Sequence, residues 1–335
     1  MFPTSVPLTI CYFAKKREKT VMDIAAIDQV RLNFNPQGLL IINVAIGLMM
    51  FGVALELKLE DFKRIVVAPK APCIGLAAQF ILLPAFTFLL TLILRPPPSI
   101  ALGMMLVAAC PGGNLSNIIT YLARGNCAVS VSMTAVSTAA AIVMTPFNLA
   151  FWGSLNPHTA QILKKVSLSP FDVFVNIFII LGIPLILGLF LARTFPFLVD
   201  KLRKPFKIFS LVFFIAIVAG ALGANWRNFI NYVGLVFFGV LVHNALALNL
   251  GFWAGRLARL NEQDCRAVSI EVGIQNSGLG LVLVFNFFGG LGGMAIITAW
   301  WGIWHIIAGL VAAYIFSRRP IPAGIPASVD DTPAG

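Results

Sequence analysis

The chain has 335 residues, 59% hydrophobic and 11% charged, with a mean hydropathy of +0.91. Soluble domains carry about 25% charged residues, so the composition excludes an ordinary soluble enzyme and describes an all-α polytopic membrane protein. The net charge of +11 is that of Lys and Arg retained in cytoplasmic loops, and no nucleic-acid partner is expected.

Residues 1–37 contain Lys15, Lys16, Arg17, Lys19, Asp23, Asp28 and Arg31 and no spanning stretch, so they form an extramembrane N-terminal segment. A signal peptide has its positive charges before its apolar run, whereas "VPLTICYF" precedes "AKKREK" here, an order that weakens that reading. Apolar stretches of about 20 residues, ended by charges, prolines and polar clusters, mark the spans. They predict nine helices, at 38–57, 70–94, 99–123, 127–151, 172–194, 206–223, 230–256, 266–288 and 294–317. Residues 152–171 read as a loop, and 318–335, rich in Pro, Gly and Ala, as a disordered cytoplasmic tail. Cys11, Cys73, Cys110, Cys127 and Cys265 show no metal-type spacing and are assigned no chemistry.

The loops after the first, third, fifth and seventh helices, with the tail, hold fifteen Lys and Arg, Lys58 and Arg266 among them. The opposite side holds Arg95, Lys164, Lys165 and Arg227 besides the five of the N-terminal segment. The bias among short loops puts the C-terminus in the cytoplasm and the N-terminus outside, in the cell (inner) membrane.

Two helices are interrupted. The third contains "CPGGNLSN", from Cys110 to Asn117, and the eighth contains "SIEVGIQNSGLG", with its polar break at 271–278. Proline removes a helix hydrogen bond and glycine adds backbone freedom. In hydrocarbon the freed groups are tolerated only where protein, a cavity or an ion satisfies them. Residues 172–317 form a group of five helices with the break in the fourth. Residues 38–151 match if that group lacks its first helix, and odd-numbered groups insert with opposite orientation. Matched interruptions of this kind point to a secondary transporter with inverted repeats and a midplane site.

Crossing of the broken helices would gather Ser116, Asn117, Glu271, Gln275 and Asn276. Hard oxygen donors with one carboxylate suit a monovalent cation; Mg²⁺ or Ca²⁺ would normally have more acids. Sodium is favoured, with a proton second. Glu56 and Asp172 lie at predicted helix ends, where water or headgroups solvate them, whereas Glu271 lies a turn inside its helix. Its alternative use is a salt bridge to Arg266.

"CPGGNLSNIITYLARGN" followed by "SVSMTAVST", together with "IEVGIQNSG", resembles the bile acid:sodium symporter family over roughly residues 38 to 317. The resemblance implies two inverted five-helix repeats, with a core domain that contains two crossing broken helices and a panel domain that moves against it. It implies a first sodium site of Ser116, Asn117, Ser130, Thr134 and Glu271. It implies a second of Gln79, Gln275, the Glu271 carboxylate and the backbone carbonyls of Val272 and Ile274. Half-helix starts near Asn114 and Asn276 suit an anionic substrate, with Ser277 and His305 as further candidates. The chain departs from bacterial members in lacking an apolar first helix. It also carries Ile306 after His305, where they have Asn, which bears on substrate choice.

Other candidates have plainer readings. His243 and His305 fit structural histidines as well as cavity residues, and Trp300, Trp301 and Trp304 fit interfacial anchors better than a stacking wall. The sequon at Asn114 is predicted to lie within the membrane, where it goes unused. Nothing resembles a nucleotide-binding loop or a catalytic triad, so no enzyme is expected. The expectation is sodium-coupled uptake, with two coupling ions, of an organic anion such as a bile acid or small carboxylate. The rivals are a cation/proton exchanger titrating Glu271 and a non-transporting membrane sensor or binding protein. The lipid bilayer is the other partner, and a monomer is compatible with the sequence.

Overall fold

The computed structural model describes residues 28, 36–56, 59–166, 175, 178–224 and 226–321. The tail beyond residue 321, Cys11, Lys58, Asp172 and all of the N-terminal segment before Asp28 lie outside them. The described chain is helical, and each of the nine predicted ranges contains helix.

Helix α1 spans Pro36–Glu56 and the amphipathic α2 spans Leu59–Val67. Helix α3 (Lys70–Ala77) continues through a π-helical turn, Ala78–Leu82, into α4 (Leu83–Leu94). A second π turn, Phe178–Gly182, leads into α9 (Ile183–Thr194). Each turn precedes a proline, Pro84 or Pro184, which lacks the N–H that would bond four residues back. The wider turn absorbs that missing bond and sets the direction of Gln79, which lies within the first one.

The third predicted helix is two: α5 (Pro98–Ala109) and α6 (Leu115–Leu122). Helix α7 (Cys127–Leu155) starts at Asn126, whose side chain accepts from the N–H groups of Ala128 and Val129 at 3.0 and 3.3 Å. The stretch read as a loop holds α8, Pro157–Val166. Helix α10 (Pro196–Ala224) starts earlier than expected and carries Lys201, Arg203, Lys204 and Lys207 on its first turns. Pro205 lies inside it, and the charges that seemed to end a span instead extend the helix beyond its apolar part. Helix α11 is Trp226–Leu257.

The eighth predicted helix is also two, α12 (Glu262–Gly273) and α13 (Ser277–Phe287), and α14 (Gly292–Arg318) closes the described chain. Helix α12 starts at Asn261, whose side chain accepts from the Asp264 N–H at 2.8 Å. Arg266, expected in a loop, is therefore inside the helix and fully buried.

Helices α11 and α12 form a close antiparallel hairpin. A methyl group at Gly251 would lie 2.6 Å from the Val268 carbonyl oxygen, so only glycine permits this approach. Ser269 Oγ donates across the seam to the Leu248 carbonyl at 2.8 Å. One apolar core joins α5, α7, α13 and α14 through Leu102, Leu106, Leu149, Leu283, Phe285 and Met294. Trp301 belongs to the other large core, fully buried and edge-on to His243, so it is not the interfacial anchor the sequence suggested.

Among the described residues, four helical stretches are long and apolar enough to cross a membrane: Lys70–Leu94, Cys127–Leu155, Val236–Leu257 and Gly292–Arg318. Their outward faces expose Phe86, Leu89, Phe147, Phe151, Phe238 and Leu310. In water such a surface would be costly; against lipid it is the expected one. The protein is an all-α polytopic membrane protein.

Candidate functional site

The two breaks meet. Gly112 and Gln275 form an antiparallel bridge, in which the Gly113 N–H donates to the Ile274 carbonyl at 2.8 Å and the Asn276 N–H to the Pro111 carbonyl at 2.9 Å. Where the helices stop, every carbonyl that would have been bonded within a helix needs another donor. Thr145 Oγ1 donates to Ala109 at 2.7 Å and Gln79 Nε2 to Cys110 at 3.2 Å. Gln275 Nε2 donates to Val272 at 2.7 Å and Asn244 Nδ2 to Gly273 at 2.8 Å. The Ser277 N–H turns back to Gln275 at 2.9 Å. The unwound backbone is thus closed by its partner strand and by side chains of neighbouring helices.

Glu271 sits beside this crossing with no exposed surface. Ser116 Oγ and Ser130 Oγ lie 2.5 and 2.9 Å from its Oε2, and Thr134 Oγ1 lies 2.6 Å from its Oε1, each hydroxyl donating. Asn117 Oδ1 lies 2.8 Å from Ser130 Oγ and 3.3 Å from Thr134 Oγ1. Helix spacing brings Ser130 and Thr134 onto one face of α7, while Ser116 and Asn117 come from the first turn of α6. A Cβ at Gly112 would overlap the Glu271 carboxylate, so the glycine of the first break makes room for the acid of the second.

The second expected group adjoins the first. Gln79 Nε2 lies 3.1 Å from Gln275 Oε1, in addition to its bond to Cys110. Gln79 Oε1 is buried and has no hydrogen-bond partner. Val272 and Ile274 each accept one hydrogen bond, which leaves a second lone pair on each carbonyl oxygen. Each oxygen set offers only hard donors.

Among the described residues, no basic side chain pairs with that carboxylate. Ion pairs among the described residues include Arg203–Asp200, Arg256–Glu262 and Arg266–Glu262. Arg266, the alternative partner, donates instead to Glu262 at 3.0 Å and to the carbonyls of Ala123 and Arg319, both at 3.1 Å. Burying an unpaired carboxylate is costly enough that a cation or a proton must accompany it. The donor chemistry, oxygens only and one negative charge, fits Na⁺.

The remaining candidates are positioned differently. Asn276 Oδ1 accepts from the Leu279 N–H at 3.0 Å and caps α13, and Ser277 is the first residue of that helix. Asn114 precedes α6 without a side-chain capping bond. Asn276 also lines a small cleft with Met50, Pro111, Thr138, Leu185 and Leu279. His305 is buried on α14, a turn before Gly309, where a Cβ would lie 2.7 Å from Ile274 Cδ1. Thr145 and Asn244 were missed by the sequence reading. The only signal for either was a polar residue inside an apolar span, which Ser137, Thr138 and Asn148 share.

The model of the Sodium Bile acid symporter family matches residues 43–232. The "Uncharacterized sodium-dependent transporter YocS" of Bacillus subtilis (strain 168) is 34% identical over 278 residues, covering 83% of this chain and 83% of that protein. The "Probable sodium/metabolite cotransporter BASS1, chloroplastic" of Arabidopsis thaliana is 32% identical over 277 residues, 82% of this chain and 66% of that protein. The "Ileal sodium/bile acid cotransporter" of Homo sapiens is 28% identical over 249 residues, 73% of this chain and 68% of that protein. With two breaks crossing at a buried carboxylate and this breadth of similarity, the chain belongs to the sodium bile acid symporter family.

Proposed function

We propose that this protein is a sodium-coupled symporter that imports an organic anion by alternating access. The observation that carries the reading is Glu271, fully buried, given three hydroxyl hydrogen bonds and no basic partner among the described residues. Ser116, Asn117, Ser130, Thr134 and Glu271 would hold one Na⁺. Gln79, Gln275, Glu271 and the carbonyls of Val272 and Ile274 would hold a second. The two ions share the carboxylate, so occupancy of one set orders the donors of the other.

The substrate anion would sit beside the half-helix starts at Asn114, Asn276 and Ser277, where the positive dipole ends favour negative charge. His305 and Ile306 on α14 are the residues proposed to tune its choice. The names of the relatives support a bile acid or a smaller metabolite carboxylate. Transport would proceed by movement of a core that contains the broken helices against a panel domain, the two repeats being inverted. The Arg266 links between α12, Ala123 and Arg319 bring three Arg-bearing ends to one side. That supports a cytoplasmic C-terminus in the cell (inner) membrane.

The test is uptake into proteoliposomes. An inward NaCl gradient should drive accumulation of a radiolabelled bile acid or keto acid that a KCl gradient does not, and Glu271→Ala should abolish it. Sodium-dependent ligand binding with no accumulation would make the protein a sensor. Proton movement without any anion flux would make it an exchanger.

A further inference from the structure

The two breaks are closed by the same device, and only one of its parts belongs to the expected sodium sites. Gln79 lies on the helix that precedes α5 and donates its amide to the carbonyl of Cys110, just past the end of α5. Asn244 lies on α11, the helix that precedes α12, and donates its amide to the carbonyl of Gly273, the last residue of α12. In a continuous helix the Gly273 carbonyl would receive the N–H of Ser277, four residues on. Here that N–H is turned to Gln275, and Asn244 substitutes for it.

Both amides are fully buried, and both leave their oxygen without a hydrogen-bond partner: Oε1 of Gln79 and Oδ1 of Asn244. A carboxamide in this position is half satisfied, which a simple packing contact would avoid. Its donor end is what the fold needs. Asn244 is also held firmly. The adjacent His243 ring is fixed by Thr87 Oγ1 at 2.7 Å from Nε2 and by the edge of Trp301. Gly251 and Gly255 draw the rest of α11 onto α12.

We propose that Asn244 is a positioning residue for cation binding: its hydrogen bond to Gly273 stops α12 at that residue and thereby sets the flanking Val272 and Ile274 carbonyls and the Glu271 carboxylate. It touches no ion itself. Without it, the Gly273 carbonyl regains the Ser277 N–H as its nearest donor, and the break tends to rewind through the ion-facing carbonyls. The inference rests on the sodium reading of the site and deepens it.

The experiment measures thermal stability of the purified full-length protein across NaCl–KCl mixtures at constant ionic strength, for wild type, Asn244→Leu and Asn244→Ala. Asn244→Ala needs no extra room and serves where the leucine variant does not fold. The expected result is a Na⁺ midpoint raised about tenfold in either variant, the loss of one buried hydrogen bond. A variant that is less stable in KCl but has an unchanged Na⁺ midpoint would make Asn244 merely structural and overturn the proposal. If the wild type itself shows no Na⁺-specific shift, the sodium reading fails, whatever Asn244 does.

Discussion

Ser116 Oγ donates to the Glu271 carboxylate across 2.5 Å, although the two residues are 155 positions apart in the chain. One lies just after the first break and the other just before the second. The crossing of the breaks is therefore what builds the site, and its disruption should be felt at both.

Glu271→Gln removes the charge and keeps the shape, with one acceptor oxygen retained and the other replaced by an NH2 donor. We expect Na⁺-specific thermal stabilisation to vanish. In the wild type it should reach about 2.7 kcal/mol at 100 times the dissociation constant. Thermal unfolding in NaCl and in KCl reads this directly, and a retained Na⁺ shift in the mutant would remove the carboxylate from the ion site.

Thr134 and Ser137 separate ligation from helix bonding on α7. Thr134 donates to Glu271, whereas Ser137 Oγ donates only to the Thr134 carbonyl, at 3.2 Å. Thr134→Val should raise the Na⁺ midpoint by about tenfold, the scale of one charge-assisted hydrogen bond or ligand. Ser137→Ala should leave it within about twofold, as expected of a surplus hydroxyl-to-backbone bond. Equal effects from the two substitutions would argue against a special role for Thr134.

Gly112→Ala places a methyl group where the Glu271 carboxylate sits. The backbone there is hydrogen-bonded to the second break, so neither side yields freely. Uptake and the Na⁺ shift should both be lost, while the detergent-solubilised protein still elutes as a single species. Normal Na⁺ affinity in this variant would mean that the two breaks do not approach as closely as described.

Arg266→Met should behave in the opposite way. The buried guanidinium ties Glu262 to the carbonyls of Ala123 and Arg319, far in chemistry from the oxygen cluster. Glu262 keeps Arg256 as a partner, but the Ala123 and Arg319 carbonyls lose their donor, each unsatisfied buried group costing about 1–3 kcal/mol. The Tm in KCl should therefore fall clearly with the Na⁺ midpoint unmoved. A raised midpoint without loss of stability would show that Glu271 draws on Arg266 after all.

The sequence by itself determined a good deal. Apolar runs of membrane length located the helices, because lipid forces the backbone to satisfy itself locally. Pro111, Gly112 and Gly113 marked one break and the polar run from Glu271 the other, because such residues are costly in hydrocarbon unless used. Tertiary structure decided what local patterns cannot encode. Thr145 and Asn244 close carbonyls on other helices, and a hydroxyl or amide inside an apolar span looks the same whether it caps a distant break or bonds its own turn. Arg266 resembled an interfacial loop charge until Asn261 began the helix early and burial paired it with Glu262. Trp301 resembled a headgroup anchor until packing placed it edge-on to His243. The chemistry of the site was readable in residue types, but its geometry exists only where two half-helices cross and each supplies what the other's broken backbone lacks.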